Sequence, residues 1–233
     1  MGKYLIVGGS SGIGFKTAEI LAEKRHKVYA TYNSAAPAGK SEEVQYFRYN
    51  VLEDSFPEEN LPDKLDGLVY CPGAINLKPF HRIKPEQFVE DYELQVVGAV
   101  KTIQAVLPRL KAAEKASIIL FSTVAVQTGF NFHSMVSASK GAIEGLTRAL
   151  SAEFAPRIRV NCIAPSLTDT PLAERLINTP EKKQGNAERH PLKRIGEAVD
   201  IANAATFLLD NEISGWITGQ ILKIDGGIST IKQ

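Results

Sequence analysis

Several things are scarce in this 233-residue sequence. Cysteine occurs only at Cys71 and Cys162. The two lie far apart and in no metal-ligand spacing, which excludes a disulfide framework and gives no reason to expect a metal. Both read as reduced, buried residues at strand ends of a cytosolic protein. No apolar run approaches the roughly 18 residues of a membrane span. The first strand begins by Lys3, which leaves no room for a signal peptide. The expectation is therefore a soluble, cytoplasmic chain with no membrane partner. Excess charge is missing as well: Lys+Arg 27 against Asp+Glu 26 gives no electrostatic call for nucleic acid. Repeats, linkers and low-complexity runs are also absent, so one domain over 1–233 accounts for the chain.

What is present is an alternation of short apolar runs with amphipathic stretches. Lys3–Val7, Lys27–Tyr32, Val44–Val51, Asp66–Cys71, Ser117–Ser122, Arg157–Ile163 and Gln220–Asp225 read as seven strands. Helical spacing marks Ile13–Leu21, Glu86–Leu110, Ser134–Phe154 and Glu197–Leu209. SIILFS at Ser117–Ser122 is apolar almost throughout, as a strand buried on both faces should be. Alternating strands and helices predict an α/β fold: one doubly wound Rossmann domain with a mainly parallel seven-stranded sheet and helices on both faces. Ligands of such sheets bind beyond the carboxyl ends of the strands, where strand order reverses.

Gly8, Gly12 and Gly14 fall between the first strand and the first helix. There a tight turn, a close approach of backbone to a pyrophosphate and close strand–helix packing each demand glycine. The helix beyond offers free N–H groups and the positive end of its dipole. Ser10 and Ser11 add hydroxyl donors, and Ile13 sits between the last two glycines.

With these motifs the sequence resembles the short-chain dehydrogenase/reductase family. The landmarks are VGGSSGIG at Val7–Gly14, FSTVA at Phe121–Ala125, SASKGAIEGLTRALSAE at Ser137–Glu153, RVNCIAP at Arg159–Pro165, RIGE at Arg194–Glu197 and TGQILKIDGG at Thr218–Gly227. The resemblance runs from Tyr4 to about Ser229 and implies an NAD(P)-dependent oxidoreductase, often a dimer or tetramer. The family works with an Asn, a Ser, a Tyr and a Lys. Lys140 matches the lysine, but the tyrosine position is Val136, the serine position Thr123 and the asparagine position Gln95. A valine cannot exchange a proton, whereas Thr123 keeps a hydroxyl and Gln95 an amide. His133, just ahead of the helix, is a candidate replacement donor, with a solvated loop histidine as the bland reading. Ser134 and Ser137 read as capping or surface residues. In the family the lysine also contacts the nicotinamide ribose, so Lys140 supports cofactor binding even without the tyrosine.

An NAD site usually carries Asp or Glu at the end of the second strand. Here stand Tyr32, Asn33 and Ser34, with no carboxylate to repel a 2′-phosphate, so NADP(H) is favoured over NAD(H). Lys16 or Lys40 would supply the missing cation. By resemblance, Asn50 and Val51 fall at the adenine edge, Gly73 passes close to the cofactor, and Pro165, Thr168 and Thr170 border its carboxamide or diphosphate. Ser166 replaces a family glycine. The polar stretch 171–191 is expected as a mobile lid over a small-molecule substrate, with His190 at its surface. Ala138, Gly141, Ala142, Gly145 and Ala149 on the helix 134–154 suit close helix pairing in a homodimer or homotetramer. The expected function is an NAD(P)H-dependent oxidoreductase acting on a carbonyl or alcohol with an altered proton relay. The alternatives are a non-catalytic NADP(H)-binding sensor or partner subunit, or a non-redox lyase or isomerase on the same scaffold.

Overall fold

Lys3–Val7 forms strand β1, and its side chains divide between two layers: Leu5 and Val7 enter one core, Tyr4 and Ile6 the other. That period-two division requires a strand covered on both faces. The computed structural model describes residues 1–37, 42–53 and 55–232; Lys40 lies outside them. After β1 come α1 (Gly12–Glu23), β2 (Lys27–Tyr32), β3 (Val44–Arg48), β4 (Gly67–Tyr70), α2 (Pro85–Tyr92), α3 (Gly98–Lys111), β5 (Ala116–Phe121), α4 (Ala125–Thr128) and α5 (Ser134–Phe154). The remainder is β6 (Ile158–Pro165), β7 (Thr168–Asp169), α6 (Glu174–Ile177), α7 (Pro180–Glu188), β8 (Gly196–Glu197), α8 (Ala198–Leu209), α9 (Asn211–Ser214) and β9 (Ile221–Ile224).

Seven strands form one sheet in the order β3-β2-β1-β4-β5-β6-β9, every adjacent pair parallel. Ile103, Val106 and Leu110 of α3 and Ile143 and Phe154 of α5 cover one face. Ala18, Leu21 and Ala22 of α1 and Ile201, Ala205 and Leu208 of α8 cover the other. Strand β5 is buried along its whole length between these layers. The order reverses between β1 and β4, so the chain leaves these neighbouring strands in opposite directions and opens a crevice at their carboxyl ends.

Three features differ from the sequence expectation. First, β3 stops at Arg48 rather than Val51; Tyr49 and Val51 stay buried, and the Tyr49 N–H donates to the Tyr32 carbonyl at 2.9 Å. Second, the stretch Glu86–Leu110 is not one α-helix, because a π-helical turn, Glu93–Val97, separates α2 from α3. A π turn leaves the helical ladder locally wide and re-aims side chains. The Tyr70 hydroxyl donates to the Leu94 carbonyl at 2.7 Å. Gly98 gives the tyrosine room: a Cβ there would stand 2.4 Å from Tyr70 Oη. Third, the polar stretch 171–191 is folded into a 3-10 turn and the helices α6 and α7. Ala173, Ile177, Ala187 and Ile195 give it a small core of its own. Thr179 caps α7 by accepting the Lys182 N–H, and Lys183 pairs with Asp169 at 2.6 Å. The apolar residues are too few to show against the surrounding charge in composition, yet they close on one another, with Leu167 and Leu176 packed against them.

Both cysteines are free, Cys162 buried and Cys71 half-buried. Among the described residues no helix is long and apolar enough to cross a membrane. Tyr70→Phe leaves the Leu94 carbonyl without its donor and should cost about 1–3 kcal/mol in urea unfolding. An unchanged unfolding midpoint would show that the π turn does not depend on that bond.

Candidate active site

The carboxyl ends of β1, β4, β5 and β6 deliver Gly8, Cys71–Gly73, Ser122–Thr123 and Ser166 to one side of the sheet. A cavity of about 330 Å³ opens there. It gathers residues scattered in sequence: Ile13, Gly73, Gln95, Thr123, His133, Val136, Lys140, Pro165, Thr168 and Thr170 all line it.

The glycine turn at its edge is held by β2. The Gly8 N–H donates to Thr31 Oγ1 at 3.0 Å, and the Gly9 N–H to the Thr31 carbonyl at 2.9 Å. Gly8 and Gly12 have φ of 75° and 54°, which glycine adopts without Cβ strain. At Gly14 a Cβ would lie 2.4 Å from the Gly8 carbonyl oxygen. Ser11 precedes α1 in extended conformation without a side-chain capping bond, and no acidic residue occupies the first turn. The amino-terminal N–H groups therefore face the crevice without a side-chain acceptor. Thr170 stands opposite, its Cβ and Cγ2 each 3.3 Å from the place a Gly12 Cβ would take.

On the far side of the cavity the π turn brings Gln95 over Gly73. Gln95 Oε1 and Lys140 Nζ lie 3.4 and 3.6 Å from the position of a Gly73 Cβ. Gln95 is held by Asp91, whose Oδ2 accepts from Gln95 Nε2 at 2.7 Å and from Ser139 Oγ at 2.6 Å. Asp91 and Gln95 are 4% and 1% exposed, and Asp91 Oδ1 and Gln95 Oε1 have no hydrogen-bond partner. Two orphaned buried acceptors cost free energy until a donor reaches them. Burial pulls the Lys140 ammonium down to about 8 from 10.5. Cys162, Asp91 and Cys71 oppose this, but burial holds both thiols near 12. They are therefore neutral at physiological pH, and Asp91 is the charge that counts. Asp91 was not foreseen. Its signal is the i, i+4 spacing to Gln95 on a helix face that turns inward.

Val136 is buried, one helical turn before Lys140, and presents only methyl groups to the cavity. Thr123 keeps its hydroxyl there, with Oγ1 accepting the Ala125 N–H at 3.3 Å. His133 is half-buried rather than fully solvated; its Nδ1 donates to the Asn131 carbonyl at 2.7 Å, and its ring packs against Phe130. Ser137 Oγ ties α5 to the Ala125 carbonyl, while Ser134 begins the helix at the surface. Leu77, Leu172 and Leu176 supply an apolar wall. Arg189 stands at the exposed rim, its guanidinium 5.9 Å from the Phe130 ring centroid.

His190 corrects the surface reading. It is 3% exposed, with Nδ1 2.8 Å from the Asn186 carbonyl and Nε2 2.8 Å from Ser166 Oγ. Ser166, the residue in place of a glycine, also lines the cavity. Sequence spacing hides the pair because 24 residues separate its members.

The remaining candidates lie along the crevice away from this cavity. Tyr32 is half-buried, and Asn33 and Ser34 are exposed at the end of β2. Ser10 is half-buried and Ser11 exposed in the glycine turn. Asn50 Oδ1 accepts the Leu52 N–H at 3.1 Å. The Val51 side chain is turned into the core, so only its main chain is left for a ligand. Lys16 is paired with Glu19 at 3.1 Å. Arg48, which the sequence reading passed over, stands in register with Tyr32 one strand away. Among the described residues no three His, Cys, Asp or Glu side chains group as metal ligands.

Comparison with known proteins gives a consistent family. A family model described as Enoyl-(Acyl carrier protein) reductase matches residues 7–229. The human 3-oxoacyl-[acyl-carrier-protein] reductase is 29% identical over 238 residues, covering 97% of each chain. The uncharacterized oxidoreductase YmfI of Bacillus subtilis is 30% identical over 237 residues, covering 96% of this chain and 97% of its own. Among solved structures, a short chain dehydrogenase family protein from Francisella tularensis superposes with a TM-score of 0.89 at 27% identity, over 99% of this chain and 100% of that one.

Two outcomes test the geometry. Gly14→Val, whose Cβ would meet the Gly8 carbonyl oxygen, should lower the midpoint of urea unfolding; an unchanged midpoint would contradict the close packing of α1 on β1. The Cε resonance of Lys140 should titrate with a midpoint near 8, the ammonium being lost as pH rises through that value, and a midpoint at 10.5 would contradict its burial.

Proposed function

The chain belongs to the short-chain dehydrogenase/reductase family of oxidoreductases, and on that premise we propose that it is an NADP(H)-dependent reductase of small carbonyl compounds whose proton relay does without the family's tyrosine. The observation that carries this reading is the convergence of Lys140 Nζ and the unpartnered Gln95 Oε1 over Gly73. Donor and acceptor stand beside a gap that a side chain would fill, as the two hydroxyls of a ribose require.

A bound reduced nicotinamide would supply a hydride to the carbonyl carbon. The chain's residues do the rest. The backbone of Gly8, Gly12, Ile13 and Gly14, with Ser10 and Ser11, takes the diphosphate at the start of α1, and Thr170 closes it from the other side. Lys140 donates to the ribose and Gln95 accepts from it. Pro165 and Thr168 border the carboxamide, and Asn50 and the Val51 main chain the adenine. Thr123 holds the substrate oxygen by a hydrogen bond. The apolar wall of Leu77, Leu172 and Leu176 favours a substrate with an apolar body. The folded segment 171–191 acts as the cover, opening and closing on its own small core.

The preference for NADP(H) rests on the absence of a carboxylate at Tyr32, Asn33 and Ser34 and on the guanidinium of Arg48 one strand over. The exposed small residues Ala138, Gly145 and Ala149 of α5 support a homodimer or homotetramer packed through that helix. The two free thiols suit the cytoplasm. Carbonyl reduction agrees with the names of the relatives. One observation favours a second reading: Val136 makes this position inert, which suits a protein that binds the dinucleotide and does not turn over.

The test is fluorescence titration with NADPH and NADH, followed by a panel of carbonyl compounds and the absorbance of the nicotinamide band. Tighter binding of NADPH and loss of absorbance are expected. Val136→Tyr should raise kcat by about tenfold or more, as restoring a positioned acid does. Binding without absorbance loss, in wild type and Val136→Tyr alike, would favour the non-catalytic reading. No binding would remove the proposal.

A further inference from the structure

We propose that Ser166 and His190 form the acid–base pair of this cavity, with Ser166 exchanging the proton of the substrate oxygen and His190 serving it from behind. The assignment as a reductase's proton route rests on the function proposed above; the pair itself rests on geometry.

The Asn186 carbonyl can only accept a hydrogen bond. The 2.8 Å contact to His190 Nδ1 therefore fixes the proton on that nitrogen. In the neutral ring Nε2 is then an acceptor, and it faces Ser166 Oγ at 2.8 Å. Hydroxyl, imidazole and orienting carbonyl thus stand in the order that activates a serine. A backbone oxygen takes the place usually held by a carboxylate. The imidazole is held on both nitrogens and buried, so its ring cannot swing away. The Ser166 backbone is also fixed: its N–H donates to the Ile224 carbonyl at 3.2 Å, and its carbonyl accepts from Thr168 Oγ1 at 2.9 Å.

The pair lies between two cavities. Ser166 and His190 line the 330 Å³ cavity with Lys140, Thr123 and Val136. Both also line a second cavity of about 200 Å³ on the other side, with Asp225, Arg194 and Asp200. Arg194 and Asp200 pair at 2.6 Å with their side chains 51% and 30% exposed, so that cavity communicates with solvent. Solvent in that cavity therefore meets the wall that Ser166 and His190 form. His133 gives its Nδ1 to a loop carbonyl and packs its ring on Phe130.

In the direction of reduction the pair starts with a proton on Nε2 as well as on Nδ1, Nε2 then donating to Ser166 Oγ. A reduced nicotinamide dinucleotide would supply a hydride to the carbonyl carbon, and the C=O π pair moves to oxygen. That oxygen takes the Ser166 hydroxyl proton while Ser166 Oγ takes the Nε2 proton, which leaves the neutral ring with its proton on Nδ1. A proton from solvent, passed through Ser166 Oγ to Nε2, restores the starting state, and the product is the alcohol.

The first test needs no dinucleotide. p-Nitrophenyl acetate is expected to acetylate Ser166, located by peptide mapping, and His190→Gln to slow this by about tenfold or more. The second uses NADPH and a carbonyl compound that the wild type reduces. Ser166→Ala should lower kcat by about 10²–10⁴ with KM little changed, and Ser166→Thr, which keeps a hydroxyl, should recover much of it. His190→Gln should lower kcat in the same way and change the solvent isotope effect, which a merely structural histidine would not do. Should Ser166→Ala unfold, Ser166→Thr and His190→Gln carry the comparison. An unmodified Ser166, wild-type kcat in Ser166→Ala, or a loss confined to His133→Ala would overturn the pair. Acetylation of Ser166 in a wild type that reduces no carbonyl would instead defeat the reductase reading and leave the pair standing.

Discussion

The whole arrangement depends on how closely α1 begins against the end of β1. With 2.4 Å between the Gly8 carbonyl oxygen and the place of a Gly14 Cβ, no side chain fits between strand and helix. The approach aims the first N–H groups of α1 into the crevice that strand-order reversal opens between β1 and β4. The bonds from Gly8 and Gly9 to Thr31 lock the turn to β2. Thr170, arriving from the far end of β6, then meets Gly12 across the gap. The first turn of α1 thereby presents N–H groups with no side-chain acceptor, where the anionic group of a ligand would find donors.

The second half of the site is organised by a buried carboxylate. Asp91 holds Gln95 and Ser139 together, so α2, the π turn and α5 meet at one oxygen. The π turn exists where the Tyr70 hydroxyl draws off the Leu94 carbonyl, and it aims Gln95 over Gly73. The amide is thus fixed from behind by the Asp91 carboxylate. Val136, which presents only methyl groups, and the Ser166–His190 pair line the same cavity.

Much of this was legible in the sequence, and for a physical reason. Strands buried on both faces read as apolar runs, and β1, β2 and β5 were found with their ends within a residue or so. The glycine turn was legible because only glycine tolerates its contacts. Lys140, Thr123, Gln95 and Val136 were readable from motif spacing, and the structure gathers them on one cavity. What escaped were contacts between distant segments. The π turn depends on Tyr70, which lies 24 residues from the carbonyl it holds. Asp91 carries no sequence signal beyond its spacing to Gln95, because its second partner, Ser139, lies 48 residues away on α5. His190 sat in a polar run and read as surface, although Ser166 and Asn186 engage both of its ring nitrogens. The helices α6 and α7 within 171–191 were not legible because the core they share with Ile195 is scattered over charged positions.

The central claim is that this cavity carries a hydride to a carbonyl carbon without a tyrosine. The most direct measurement is a single-turnover reaction with NADPH deuterated at the transferring position of its ring and a carbonyl compound in excess, the product being analysed by mass spectrometry. The account predicts an alcohol with deuterium on its carbinol carbon. An alcohol free of deuterium, or a dinucleotide-saturated protein that forms no alcohol, would contradict it.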